Sequence, residues 1–243
     1  MTDAPPSPPD SALVTGGTGA IGRVVVNRFL DSGYRVGVTY RSEPEWNALA
    51  AARSREAASG ALVGVPADVT GDRSMREAVD RAAASLGGLR VLVHVAGGYA
   101  GGAPVESIEE DALRGMLELN LHSAFWAAKH VIPHAKRAGA GRLLFVSSRG
   151  SVVFYPGAAA YAAAKAGLNA LVGTLGRELL ASGVTANAVM PSMVDTPANR
   201  KEMPNADHAS WVQPEEIAEL LLFLASERAS ATSGALIPIY GRA

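Results

Sequence analysis

The sequence predicts an α/β domain: a doubly wound parallel sheet of seven strands with helices on both faces. Three observations predict it. Short apolar runs rich in β-branched residues alternate with longer segments of helical periodicity. Gly, Pro and Asp punctuate those runs, as they do where strands stop. The alternation continues along the chain, which is how parallel strands joined by crossover helices read in sequence.

Taken in order, residues 12–16 (ALVTG) form the first strand and residues 21–31 the first helix. Strand two is 34–40 (YRVGVTY) and strand three 61–68 (ALVGVPAD). A helix over 74–86 leads to strand four, 89–97 (LRVLVHVAG). A long helix over 109–137 leads to strand five, 141–148 (GRLLFVSS). Strands six and seven are 184–191 (VTANAVMP) and 235–240 (ALIPIY). Residues 1–10 (MTDAPPSPPD) have neither a basic nor an apolar region, so they read as a disordered tail and not as a signal peptide. Residues 11–243 show no linker, composition shift or repeat and read as one domain.

Composition narrows the function classes. A length of 243 residues suffices for one large core, and a net charge of -1 gives no reason to expect nucleic acid or an anionic membrane as partner. With 0 cysteines, disulfides and thiolate metal sites are excluded. No apolar run is long enough to cross a bilayer, so the expectation is a cytoplasmic protein. His130 and His134 share a helix face but have Pro133 between them and no carboxylate at matching spacing; they read as surface or interface residues, and no metal is expected. His94, within a strand, reads as a satisfied interior residue.

In such a sheet, ligands bind outside the carboxyl ends of the strands. The stretch 15–22 (TGGTGAIG) closes the first strand and opens a helix. Its glycines let the backbone approach a pyrophosphate, and the helix start offers free N–H groups to the charge. Asp68, after strand three, is placed to accept from an adenine amino group, and residues 95–98 (VAGG) let backbone pass close to a ribose. On another helix, Tyr161 and Lys165 stand four apart in YAAAK, so a phenol and an ammonium share a face.

From about residue 12 to the C-terminus the chain resembles the short-chain dehydrogenase/reductase family, which has a Rossmann-like fold. Thr15, Gly16 and Gly22 fit the family's TG-x-x-x-G-x-G turn, with Ala20 in place of the middle glycine. Ala96 and Gly97 fit its Asn-Ala-Gly motif, with Val95 in place of the asparagine. The resemblance carries Tyr161 and Lys165 onto its Tyr-x-x-x-Lys pair, Ser148 onto its serine and Asn120 onto its asparagine. It implies an oxidoreductase that moves hydride between a nicotinamide and a carbonyl or alcohol. Cofactor contacts are then expected at Gly16, Thr18, Gly19, Ala20, Ile21 and Gly22, and at Asp68, Val69, Ala96, Gly97 and Gly98. Pro191, Val194 and Thr196, in a lid over about residues 192–212, would meet the nicotinamide, as would Tyr161 and Lys165.

In that chemistry Tyr161 is the candidate proton donor. A free phenol has a pKa near ~10, and a nearby ammonium is expected to lower it. Lys165 would tune the phenol and hold the nicotinamide ribose, Ser148 would hold the substrate oxygen, and Asn120 would hold a water linking Lys165 to solvent. Arg41 and Ser42 follow strand two where NAD enzymes carry an acid, which favours NADP(H) over NAD(H). A second basic residue of many NADP-using relatives is replaced by Gly19. Tyr99, His208 and Trp211 are candidate substrate contacts beside Ser148.

The stretches 95–102 and 195–204 also resemble quinonoid dihydropteridine reductase. Reduction of a ketone or 3-oxoacyl substrate ranks first, and pterin reduction second. A non-catalytic nucleotide sensor or scaffold is the reading from another class. The resemblance further implies a homodimer or homotetramer, with surfaces from residues 168–180 and the C-terminal GALIPIYGRA.

Overall fold

A computed structural model describes residues 10–242. The expected N-terminal tail lies, apart from Asp10, outside the described residues. Seven strands, β1 (Ser11–Thr15), β2 (Arg35–Tyr40), β3 (Leu62–Pro66), β4 (Val91–His94), β5 (Gly141–Val146), β6 (Val184–Pro191) and β7 (Leu236–Ile239), form one sheet in the order 3-2-1-4-5-6-7. Every pairing is parallel. The predicted fold class holds, and each strand lies on its predicted run, with ends that coincide for β6, shift by one residue for β1 and are trimmed for the others.

The strands read as continuous apolar runs because both faces are buried. Leu13, Leu92 and Leu143 face one layer; Ala12, Val14, Val93 and Leu144 face the other. The helices α1 (Ala20–Asp31) and α9 (Pro214–Ala225) pack on each other over the second face, burying Val25, Phe29, Ile217 and Leu221. Over the first face lie α4 (Asp72–Leu86), α6 (Ser123–Arg137) and α7 (Ala159–Glu178), with Met75, Val79, Val131, Leu168 and Val172 buried. In α4 the buried set Met75, Ala78, Val79, Ala82, Ala83 and Leu86 follows the 3.6-residue period, and Gly87 ends the helix at φ +72°.

The long helix expected over 109–137 runs without a break from Glu110 to Arg137, as α5 (Glu110–Leu117), a π-helical turn at Glu118–His122 and α6. Such turns insert one residue into the helical repeat and recur at functional sites. Asn120 lies within it.

His94, His130 and His134 lie where the sequence reading placed them. His94 is fully enclosed, its Nδ1 2.8 Å from Thr15 Oγ1 and its Nε2 3.2 Å from Ser123 Oγ. His130 and His134 lie against carboxylates of α4, 2.7 Å from Asp72 and 3.3 Å from Asp80, a pairing that sequence spacing does not reveal. Among the described residues no group of three or more His, Asp or Glu could hold a metal, and no helix is long and apolar enough to cross a membrane.

Candidate active site

β2 and β3 run to one side of β1, while β4 to β7 run to the other. Strand order therefore reverses between β1 and β4, where crossovers leave a crevice at the carboxyl ends. A cavity of about 1040 Å³ opens there. Its wall takes in the glycine-rich turn, the ends of β2 to β6, Ser148, Tyr161, Lys165 and Thr196.

The turn after β1 is built so that only glycine fits. Gly16 has φ +67°, and a Cβ there would stand 2.9 Å from the Ala96 backbone. A Cβ on Gly22 would stand 2.1 Å from the Gly16 carbonyl oxygen. No side chain caps α1, whose N-cap is Gly19, so its first-turn N–H groups remain available beside Gly19, Ala20 and Ile21 on the cavity wall. This is a fit for a dinucleotide pyrophosphate. Ala20, standing where a glycine was expected, is exposed at the first helical position and blocks nothing.

At the far end of the cavity, Arg41 and Ser42 follow β2. Ser42 is the N-cap of α2 (Glu43–Ala52), its hydroxyl accepting from Glu45 N at 3.4 Å. That first turn swings Glu45 back over the glycine turn, where Thr18 Oγ1 donates to Glu45 Oε2 at 3.1 Å. Glu45 lines the cavity. The sequence reading missed this acid, because residue types near β2 do not show which side chain the helix returns to the cofactor site. Asp68 and Val69 line the same wall. Asp68 Oδ1 already accepts from Thr70 N and Oγ1, at 3.0 and 2.7 Å, and these bonds hold the carboxyl below its ordinary pKa.

Toward the middle of the sheet, Ser148 follows β5, and its Oγ accepts from Gly150 N at 3.0 Å. Tyr161 and Lys165 project from one face of α7 as their spacing requires, with Lys165 Nζ 6.0 Å from the phenol ring centroid. Lys165 is buried and donates to the Val146 carbonyl at 2.9 Å.

The expected effect of the ammonium on the phenol is corrected here. Burial pushes the Tyr161 phenol above its ordinary value, with the Ser148 hydroxyl opposing and Tyr99 reinforcing the rise. Burial also pulls Lys165 down to about 8. Desolvation penalises both charged forms and is the largest influence on each.

Asn120, expected to hold a water, bonds to backbone. Its Oδ1 accepts from Gly98 N at 3.1 Å, and its Nδ2 donates to the carbonyls of Gly98 and Met116 at 2.9 and 3.1 Å. Both Nδ2 hydrogens are thereby engaged with backbone and the amide clamps the loop after β4, while Oδ1 keeps one lone pair. Gly97 lies between this clamp and the lysine: a Cβ there would stand 2.9 Å from Asn120 Oδ1 and 3.3 Å from Lys165 Nζ.

In the lid region, Pro191, Val194 and Thr196 reach the cavity. Thr196 is the N-cap of α8 (Pro197–Glu202), accepting from Asn199 N at 3.2 Å. Asn199 Nδ2 donates to the Val194 carbonyl at 2.8 Å. Tyr99 also lines the cavity, edge-on to Tyr161 with ring centroids 5.1 Å apart. His208 and Trp211 do not line the wall. Their rings pack together at 4.4 Å, Trp211 is buried, and His208 Nε2 lies 2.8 Å from the Met203 carbonyl. The two residues, expected as substrate contacts, pack on each other outside the cavity wall.

Comparison with known proteins agrees with this geometry. The family described as short chain dehydrogenase matches residues 10–207. Cis-4-hydroxycyclohexanecarboxylate dehydrogenase of Sinomonas cyclohexanicum is 34% identical over 238 residues, covering 95% of this chain and 94% of the relative. The 3-oxoacyl-[acyl-carrier-protein] reductase MabA of Mycobacterium tuberculosis is 33% identical over 249 residues, covering 98% and 94%. A short-chain type dehydrogenase/reductase from Mycobacterium ulcerans superposes with a TM-score of 0.90 at 26% identity, covering 96% of this chain and 89% of that one. A glycine cradle at the strand-order reversal, a Tyr–Lys pair on one helix face and these matches lead to one conclusion: the chain belongs to the short-chain dehydrogenase/reductase family, Rossmann-fold oxidoreductases that use a nicotinamide cofactor.

Proposed function

We propose that this protein reduces a ketone or 3-oxoacyl group, or oxidises the matching alcohol, with NADP(H) as cofactor and Tyr161 as proton donor and acceptor. The observation that carries the reading is that Ser148, Tyr161 and Lys165 share one cavity wall with the glycine cradle. When bound, the nicotinamide supplies or takes up the hydride. Ser148 holds the substrate oxygen, since its hydroxyl can donate while it accepts from Gly150 N. Tyr161, whose burial keeps the phenol protonated at neutral pH, delivers the proton in the reducing direction. Lys165 anchors the cofactor ribose and places positive charge beneath the phenol. Asn120 acts as a positioning residue by fixing Gly98.

The NADP reading rests on Arg41 at the end of β2 and on the start of α2 facing the same cavity, where a 2′-phosphate gains from both. Glu45 works against it, and its bond to Thr18 tempers the preference. The relatives named above act, by their names, on a hydroxycyclohexanecarboxylate and on a 3-oxoacyl carrier protein. Both are carbonyl–alcohol interconversions, which favours this class over pterin reduction. Assembly as a homodimer or homotetramer and a cytoplasmic location complete the proposal.

The test follows NADPH and NADH oxidation with a 3-oxoacyl thioester, a cyclic ketone and a quinonoid dihydropterin side by side. Faster turnover of either carbonyl with NADPH is expected. Preference for the pterin would reverse the substrate ranking.

A further inference from the structure

Arg149 directly follows Ser148, in the 3-10 turn Arg149–Ser151, and lines the same cavity. Its guanidinium lies over the Tyr240 ring, 5.1 Å from the centroid. Its Nε is buried and has no hydrogen-bond partner. None of the ion pairs among the described residues includes it. Arg142, at the start of β5, shows the settled alternative: it donates to the Gly141 carbonyl at 2.9 Å and pairs with Glu227 at 3.2 Å. A guanidinium cannot lose its charge, so a half-buried one without a carboxylate costs stability unless something else meets it.

The neighbouring wall is apolar. Tyr155 and Met193 line the cavity, and Tyr99 stands against Tyr161. Val153 and Phe154 continue this surface outward from Tyr155, both exposed. Among the acids of the wall, Glu45 is taken up by Thr18 at the opposite end, Asp68 is held by Thr70, and Glu202 is exposed on α8. A cation without a carboxylate partner, one residue from the serine that would hold the reacting oxygen and on a wall that also carries Tyr155 and Met193, has the form of an anchor for a second group on the substrate.

We infer that Arg149 is a specificity-determining residue that selects carbonyl and alcohol substrates bearing an oxyanion, a carboxylate or sulfonate, joined to the reacting carbon by a compact apolar ring or short chain. The inference rests on the carbonyl reduction proposed above. The planar guanidinium takes two oxygens of such an anion at once, while Tyr155 and Met193 cover the hydrocarbon between anion and carbonyl. Binding this anion supplies the partner that Arg149 lacks.

The test compares 4-oxocyclohexanecarboxylate with its methyl ester, which differ in charge at one end of the same ring. Wild-type kcat/KM is expected to favour the acid by about 10- to 100-fold, the range of one charge-assisted contact. Arg149→Met should bring the two substrates together, and Arg149→Lys should restore part of the gap. A second readout needs no turnover: calorimetric binding of unreactive cyclohexanecarboxylate to the cofactor-loaded enzyme should weaken by a similar factor in Arg149→Met. Equal wild-type rates for acid and ester, or a gap that survives Arg149→Met, would overturn the inference while leaving the carbonyl reduction intact. If neither ketone is reduced but cyclohexanecarboxylate still binds through Arg149, the reaction proposal fails and the anion anchor stands.

Discussion

Asn120 and Gly98 hold each other twice: the Gly98 N–H donates to Asn120 Oδ1 at 3.1 Å, and Asn120 Nδ2 donates back to the Gly98 carbonyl at 2.9 Å. A third bond, from Nδ2 to the Met116 carbonyl, closes the arrangement at 3.1 Å. The π-turn aims the amide at the end of β4, and the clamp fixes the backbone over which the cofactor ribose would pass. Asn120→Asp should be severe, because it replaces a donor facing two carbonyls with an oxygen. A stability loss of roughly 2–4 kcal/mol is expected in denaturant unfolding, with weakened cofactor binding. A variant as stable as wild type would show that the clamp is dispensable.

Tyr161→Phe keeps the ring and its edge contact with Tyr99 while removing the transferable proton. Turnover should fall by about 10²- to 10⁴-fold, the range assigned to general acid–base catalysis. Cofactor affinity, followed by fluorescence, should stay within a few-fold. Activity that survives this change would rule out the proposed proton donor.

Cofactor choice should respond to two residues of opposite sign. Arg41→Ala should lower affinity for NADPH about tenfold and leave NADH nearly unchanged, since one charge-assisted phosphate contact is lost. Glu45→Gln should act the other way, tightening NADPH by several-fold at low ionic strength and less at high salt. The two variants are read by titrating each nucleotide into the protein at two salt concentrations. If Glu45→Gln shifts both nucleotides equally, Glu45 acts only through the Thr18 contact and not on the 2′-phosphate.

His94 gives the fold an acid-sensitive site. Complete burial pulls its pKa from 6.5 to about 3, with Lys165 adding repulsion. Between those values the unfolded chain binds a proton that the folded chain refuses, so stability falls as pH drops through this window. His94→Gln, which stays neutral, should show a flatter loss from pH 6.5 to 3 in thermal melts, whatever its stability at pH 7. Parallel curves for the two proteins would sink this account.

Lys165 acts on the alkaline side. Its ordinary value of 10.5 falls to about 8 through burial, so between those limits the unfolded chain again binds the extra proton. Wild-type stability contributed by this group therefore rises from pH 8 to 10.5, and Lys165→Met should remove the rise. At pH 7 the variant is expected to be no less stable than wild type, although it loses the bond to Val146, because it no longer buries an ammonium. Its turnover should collapse, separating the functional role from the structural cost.

Much of the fold was legible because its strands are buried on both faces. Such strands must be apolar at nearly every position, and ALVT or LLFV admits few other readings. The glycine turn was legible for a related reason: Gly16 and Gly22 stand where any Cβ would strike backbone, so local geometry alone demands the residue type. Helical periodicity put Tyr161 and Lys165 on one face, and the family resemblance implied their role.

The parts that could not be read depend on burial and on distant partners. Glu45 meets Thr18 across 27 positions of chain. Trp211 and His208 have the residue types of substrate contacts, yet they pack on each other outside the cavity wall. Sequence spacing placed a cation near a phenol, but desolvation decides whether that cation lowers the phenol's pKa, and desolvation is a property of everything packed around both groups. By itself the sequence determined the strand order's building blocks, the glycine cradle and the identity of the candidate proton-transfer residues. Tertiary structure alone decided their protonation, the double clamp on Asn120 and the unpaired guanidinium of Arg149. Local periodicity is written in neighbouring residues, whereas dielectric, reach and hydrogen-bond satisfaction exist only once remote segments meet.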